Sequence, residues 1–158
     1  MEPGQKIIGS FKPMGAFAAT LGKESFAPVV QVSLGNDPRW RVGDQFMPDV
    51  IERGLSAIID TGSDVTRIDI RLANKFHLKS VGDITSNFTG IPASTAVYAA
   101  QLIFEEQRFV LGGEFSAANF RDGGYYHDII LGWDVLHYFD MHLNSKLGIV
   151  ALTFLGPS

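Results

Sequence analysis

A short apolar run that ends directly at an aspartate is the feature that most constrains this chain. Residues 55–59 are mostly apolar and end in two isoleucines, and Asp60-Thr61-Gly62-Ser63 follows without a break. Such a run predicts a strand buried on both faces, after which Gly62 turns the chain. Residues 71–76 then predict a short helix. The fold must therefore place Asp60 at the end of an interior strand.

An aspartate held by neighbouring hydroxyls and amides is suited to sharing a proton and activating water. The Asp-Thr-Gly-Ser sequence occurs once, so one chain supplies half of a two-carboxylate site. The motif thus predicts this chemistry together with a homodimer that brings two Asp60 side chains together. The alternative is an Asx-type turn in which Asp60 only bonds its own backbone.

A second apolar segment ends at a glycine near the C-terminus. Ile129, Ile130 and Leu131 precede Gly132, and residues 133–136 predict one helical turn. A glycine at the end of a strand lets another stretch of backbone pass close to it. The simpler interpretation is a buried strand and helical turn of any β-rich core.

The two motifs, in this order and about 70 residues apart, resemble the active-site region of the pepsin and retropepsin superfamily of aspartic proteases. In that family the apolar-apolar-Gly segment passes behind the catalytic loop, so Ile130, Leu131 and Gly132 correspond to this second structural motif. The resemblance implies a single retropepsin-like lobe that works as a homodimer.

The resemblance also assigns roles within the first motif. Asp60 would be the catalytic acid. Thr61 would bond across the dimer, Gly62 would admit substrate backbone, and Ser63 would donate to the outer carboxylate oxygen. Asp64 stands at the acidic position two residues beyond the Asp-Thr-Gly motif and completes the supporting set.

One position departs from the family pattern. Retroviral members usually carry an arginine directly after the second glycine, where it pairs with the acid at the Asp64 position. This chain has Trp133 there. The brace of the dimer edge must therefore be absent or come from another residue, for which Arg67 and Arg71 are the candidates.

Residues 84–102 occupy the stretch where the family places its flap, a hairpin that closes over bound peptide. Turn chemistry predicts the tip at residues 89–94, marked by Gly90 and Pro92. The residues predicted to form the flap and to contact substrate are Phe88, Thr89, Gly90, Ile91 and Tyr98. Without the flanking motifs, the same stretch predicts an ordinary surface hairpin.

Composition supports one mainly β domain. The chain has 158 residues, 46% hydrophobic and 19% charged, with 17 glycines and 7 prolines between short apolar runs. These values favour an all-β fold with one or two short helices, here expected to be a closed, barrel-like lobe. The net charge of −4 and the lack of a basic stripe argue against nucleic-acid binding.

Several other classes of function and site lack support in the sequence. Cysteine is absent and the four histidines form no paired metal motif, so no metal or other cofactor is expected. Ser63 lies in no nucleophile elbow, which disfavours a serine hydrolase. No signal peptide and no membrane-spanning run stands out, so we expect a cytoplasmic protein or the soluble domain of a longer one.

The remaining chain divides into predicted strands and connections. Residues 1–24 are predicted to be an N-terminal arm or first hairpin, and residues 25–158 the single lobe. Within the lobe we predict strands over 26–34 and 107–111, a polar excursion over 36–53, a Gly- and aromatic-rich loop over 112–126, and a terminal hairpin over 139–154. In retropepsins such terminal strands interleave across the dimer.

The sequence therefore predicts an aspartic endopeptidase without a cofactor, acting on peptide or protein substrates as a homodimer. One shared proton would let one Asp60 activate water while the other protonates the scissile group. The competing hypothesis is a retropepsin-like module that dimerises or binds peptides without cleaving them.

Overall fold

The computed structural model describes residues 2–16, 25–88 and 91–156, with the backbone alone for residues 86–88 and 91–93. Strands make up 54% of the structure and helices 8%, which confirms the all-β prediction. The ten strands and two short helices of the described residues are β1 (Lys6–Pro13), β2 (Phe26–Gly35), β3 (Val50–Ile59), β4 (Arg67–Asp69), α1 (Ile70–Lys75), β5 (Ser80–Phe88), β6 (Ile91–Phe104), β7 (Phe109–Ala118), β8 (Ile129–Leu131), α2 (Trp133–Leu136), β9 (Phe139–Asn144) and β10 (Ile149–Phe154).

All ten strands belong to one sheet, in the order β5-β6-β7-β4-β8-β3-β2-β1-β10-β9. The long strand β6 also pairs with β2, through Ser33 opposite Ile103 and the residues next to them. This additional pairing closes a ring of six strands, which corresponds to the closed lobe that was predicted. The β3–β8 and β4–β7 pairs are parallel, and the other pairs are antiparallel.

The end of strand β3 is buried on both faces, as its apolar run predicted. Leu55, Ala57 and Ile59 face the main core inside the ring. Ile58 points the other way, into a smaller cluster with Ala27 and Val29 of β2. Because successive side chains of a strand alternate between faces, a stretch with apolar layers on both sides is apolar at consecutive positions, here Ala57, Ile58 and Ile59. Its carboxyl end, where Asp60 begins, is thereby fixed on two sides.

The excursion before β3 is shorter than predicted, because β3 already begins at Val50 and leaves residues 36–49 as the connection. This connection is anchored to β6. The Gln101 side chain accepts from the Asp37 N–H at 2.9 Å and donates to the Asp37 carbonyl at 3.2 Å. Trp40 is buried over Gly112, where a Cβ would lie 2.5 Å from the indole ring.

The prediction of a loop over residues 112–126 is wrong for residues 112–118, because strand β7 continues to Ala118. The contact between Trp40 and Gly112 explains this difference. Gly112 suggests a break when only local chemistry is considered, yet its missing side chain is what admits the Trp40 ring to the sheet.

Both ends of the chain contribute to the sheet. Within the predicted N-terminal arm, β1 pairs with β2 and with β10. The predicted terminal hairpin is present as β9 and β10, and a role of these strands in dimerisation remains a prediction. No helix in the described ranges is long and apolar enough to cross a membrane.

Asp37 makes the stability of the connection over residues 36–49 pH-dependent in the acid range. Hydrogen bonds from the Arg39 side chain and the Arg39 backbone N–H lower the pKa of Asp37 from 3.8 to about 2. A carboxylate with a lowered folded-state pKa stabilises the protein fully above its unfolded pKa and loses that effect as the pH falls through the folded value.

We therefore expect Asp37→Asn to lower the free energy of unfolding at pH 7, with the difference from wild type shrinking between about pH 4 and about pH 2. Urea denaturation at a series of pH values measures this. Asp140→Asn, at an exposed position of β9, is the control and should leave the free energy near that of wild type. A difference that stays constant down to pH 2 would contradict the expectation.

Candidate active site

The register of two parallel strands brings the two sequence motifs together. Ile59, the last residue of β3, lies opposite Leu131, the last residue of β8. Asp60 directly follows β3, and Gly132 directly follows β8. Because parallel strands end at the same edge of a sheet, the loop that begins at Asp60 and the segment that begins at Gly132 are neighbours.

Backbone hydrogen bonds lock this loop to the segment that follows β8. The Asp60 N–H donates to the Leu131 carbonyl at 3.1 Å. In the opposite direction, the Trp133 N–H donates to Ser63 at 2.9 Å and the Asp134 N–H donates to Asp64 at 3.1 Å. The first amides of α2 therefore find their acceptors in the aspartate loop rather than within their own helix.

Gly132 allows the two backbones to approach closely. A Cβ at this position would lie 2.5 Å from the carbonyl carbon and 2.8 Å from the nitrogen of Val65. Backbone atoms cannot rotate away as the end of a side chain can, so only glycine fits here. The structure thus places Gly132 against the backbone of the segment that begins at Asp60.

The Asp60 carboxylate is half-buried at the start of its loop. Its Oδ1 accepts a 2.9 Å hydrogen bond from the Gly62 N–H. Thr61 and Asp64 are exposed on the same loop. The Ser63 hydroxyl donates to the Val65 carbonyl at 2.8 Å, and not to the Asp60 carboxylate as the resemblance implied. In the single chain this hydroxyl stabilises the loop backbone.

Sequence reasoning missed a polar pair, Thr66 and Asp134, that lies beside the close approach of Gly132 to Val65. Asp134 accepts from Thr66 twice, from its N–H at 2.9 Å and from its hydroxyl at 2.6 Å. The Thr66 oxygen in turn accepts from the Gly132 N–H at 3.0 Å. Thr66 is 1% exposed whereas Asp134 is exposed, so these bonds are shielded from water only at the Thr66 end. The available signal was an aspartate in the first turn of a helix, but nothing local points to a partner 68 residues away.

Arg71, a candidate to replace the missing arginine, serves another cluster. Its Nε donates to Asp69 at 2.8 Å, and its terminal nitrogen lies 3.9 Å from Asp128. Asp69 is fully buried and also caps α1, while Asp128 receives a 2.8 Å bond from Arg121. Arg71 therefore ties α1 to the loop before β8. The other candidate, Arg67, is buried on β4.

The predicted flap stretch forms a hairpin of β5 and β6, with pairing that continues out to Phe88 opposite Ile91. Residues 91–94 thus belong to β6, and the prediction that the turn extends to residue 94 is wrong. Pro92 lies in β6 opposite Asn87, on a part of β6 that β7 does not reach, since β7 pairs only from Val97. A proline fits a strand whose other side is open, because its missing N–H has no ladder partner to lose.

The other predicted flap positions are only partly described. Thr89 and Gly90 lie outside the described residues, and for Phe88 and Ile91 only the backbone is given. Tyr98 is half-buried on β6 and packs against the main core. Its ring therefore lies at the base of the hairpin rather than near its tip.

The fold has counterparts among solved structures. A retropepsin-like aspartic protease from Rickettsia conorii superimposes with a TM-score of 0.52 over 95% of this chain and 91% of that chain, at 10% sequence identity. The fold is retropepsin-like. The retroviral protease-like domain of Ddi1 from Leishmania major is also similar, with a TM-score of 0.40, 12% identity, and coverage of 80% of this chain and 93% of that domain. No family model and no curated protein matches the sequence.

The Gly132 crossing of this retropepsin-like lobe can be tested directly. Gly132→Ala should destabilise the protein by about 2–3 kcal/mol, because its Cβ meets the backbone of Val65. Gly113→Ala is the control, since its nearest contact is the end of the Phe115 side chain at 3.2 Å, which can move. Chemical denaturation of both variants gives the comparison. Equal free energies for the two variants would show that the crossing is not as tight as the geometry indicates.

Proposed function

We propose that this protein is an aspartic endopeptidase whose site is completed by a second copy of the chain. Two Asp60 carboxylates, one from each subunit of a homodimer, would activate the water that hydrolyses the peptide bond. The observation that carries the proposal is the interlock around Asp60, in which Gly132, Trp133 and Asp134 hold the aspartate loop from behind. An Asx-type turn, in which Asp60 only bonds its own backbone, would not need these contacts.

The chemistry follows from placing two carboxylates side by side. Like charges at a few ångströms cannot both ionise readily, so the pair shares one proton. The ionised member takes a proton from a water molecule as that water attacks the scissile carbonyl. The protonated member donates to the carbonyl oxygen, and a proton then passes to the leaving nitrogen. Atoms and charge balance without any further reactant.

The position of Asp60 favours this use of a second subunit. Thr61 and Asp64 are exposed beside it, although they belong to a loop that the rest of the fold holds firmly. An exposed but rigid loop is suited to meeting an identical loop across a two-fold axis. The hairpin of β5 and β6 would act as the flap, offering an extended peptide its backbone groups as a neighbouring strand would.

Asp60→Asn should abolish peptide cleavage, with kcat/KM reduced by at least about a hundredfold, because an amide cannot accept the proton from water. A peptide library incubated with each protein from about pH 4 to 7, and examined by mass spectrometry, measures this. Asp122→Asn, which makes the same chemical change at an exposed loop position, is the matched control and should cleave as wild type does.

Either of two results would contradict the protease assignment. One is equal cleavage by wild type and Asp60→Asn protein. The other is no cleavage by wild type at any pH, which would favour the peptide-binding or dimerisation module, provided that sedimentation still shows a dimer.

Mixing the two proteins tests whether both aspartates of one site come from different chains. At constant total protein and equal amounts of wild type and Asp60→Asn, random exchange of subunits leaves about one quarter of the dimers with two aspartates. Cleavage should therefore fall to about one quarter of the wild-type rate. Independent sites within single chains would retain one half, and sedimentation at tens of micromolar would then show a monomer.

A further inference from the structure

We infer that Trp133 is a positioning residue that fixes the Asp60 loop through an uncharged hydrogen bond, at the position where retroviral members usually carry an arginine that forms an ion pair. This inference rests on the proposed function for its catalytic consequence. The contact itself is independent of catalysis and can be measured separately.

Trp133 donates two hydrogen bonds to the loop, one on each side of Gly62. Its indole Nε1–H donates to the Thr61 carbonyl at 2.8 Å. Its backbone N–H donates to the Ser63 carbonyl at 2.9 Å. The two acceptors flank the glycine whose own N–H binds the Asp60 carboxylate at 2.9 Å. A single residue thus restrains the peptide units that orient this carboxylate.

The ring is held in this way although it is not buried. Trp133 is 41% exposed, whereas the other tryptophan, Trp40, is 8% exposed. Packing alone therefore explains the place of Trp40 but not that of Trp133. An exposed indole whose only nitrogen is directed to a loop carbonyl is best explained by the bond that it makes there.

The indole hydrogen bond of Trp133 and an arginine ion pair differ in how strongly salt weakens them. An indole N–H is a donor without charge, so its bond to a carbonyl is little affected by salt. An arginine beside the exposed Asp64 would instead form a surface ion pair, which salt screens. The exchange of arginine for tryptophan makes the loop position insensitive to ionic strength.

The first test measures the loop and needs no substrate. Trp133→Phe keeps the aromatic ring and the backbone N–H but removes the indole donor. We expect the Gly62 amide to exchange with solvent about five- to tenfold faster in this variant, measured by NMR, because one hydrogen bond that orders the loop is lost. Trp40→Phe is the control: its Nε1 has no hydrogen-bond partner in the described part of the chain, and Gly62 exchange should not change.

The second test measures catalysis by the same variants. Trp133→Phe should lower kcat by about five- to tenfold and leave KM within about twofold, because the carboxylate and not the substrate cleft is disturbed. Trp40→Phe should retain the wild-type kcat. Lost folded protein would also lower the apparent kcat at constant KM, so each rate is divided by the amount of folded enzyme. A kcat per folded Trp133→Phe enzyme equal to that of wild type would show a merely structural role and overturn the inference.

The third test replaces the indole hydrogen bond of Trp133 with an arginine ion pair. Trp133→Arg should restore part of the Gly62 protection and of kcat relative to Trp133→Phe, and this rescue should weaken between about 0.05 and 1 M salt. Wild-type protection should be unchanged over the same range. Wild-type protection that is lost with salt, or Gly62 exchange that is unaffected by Trp133→Phe, would overturn the inference. If wild type cleaves nothing, the proposed function fails, and the exchange measurements still decide whether Trp133 holds the loop.

Discussion

The approach of Gly132 to the backbone of Val65 is the contact on which the rest of the candidate site depends. Two parallel strands, β3 and β8, end side by side, and Gly132, directly after β8, lies against the backbone of Val65 in the segment that follows β3. Without a side chain at the crossing, the amides at the start of α2 come within bonding distance of Ser63 and Asp64. These bonds satisfy donors that a helix of four residues would otherwise leave unpaired, so one absent Cβ both shapes the loop and stabilises it.

The ring of strands supplies the rigid frame behind this crossing. β3 has apolar layers on both faces, and its neighbours β2 and β8 carry buried residues from the same core. A strand surrounded in this way cannot slip by one residue without exposing one apolar layer and burying a polar residue in the other. The position of Asp60 along the strand is therefore set by the core, while its side-chain orientation is set by the loop. The long-range bonds between Thr66 and Asp134 add a polar contact between the end of the aspartate loop and α2.

Features with a local physical cause could be predicted from the sequence, and features that depend on distant partners could not. The interior strand before Asp60, the glycine at the crossing and the terminal hairpin each have a local signature, and each is present. Pro92 and Gly112 are turn formers locally, yet one lies where β6 has a neighbour on a single side and the other makes room for Trp40. The partner of Asp134, and the proximity of Arg71 to Asp128, follow from the sheet topology, which no local pattern contains.

A site assembled from two chains places a particular demand on each one. Every group that must be ordered when the subunits meet adds an entropic penalty to association, and a loop ordered beforehand avoids it. Here the aspartate loop is fixed within one chain by backbone bonds to the segment after β8, and on our inference by the Trp133 indole as well. In the homodimer that we propose, only exposed groups of the loop, among them Thr61 and Asp64, would remain to be matched by the second subunit. Association of the proposed dimer would then not need to set the geometry of Asp60, because that geometry is determined when the single chain folds.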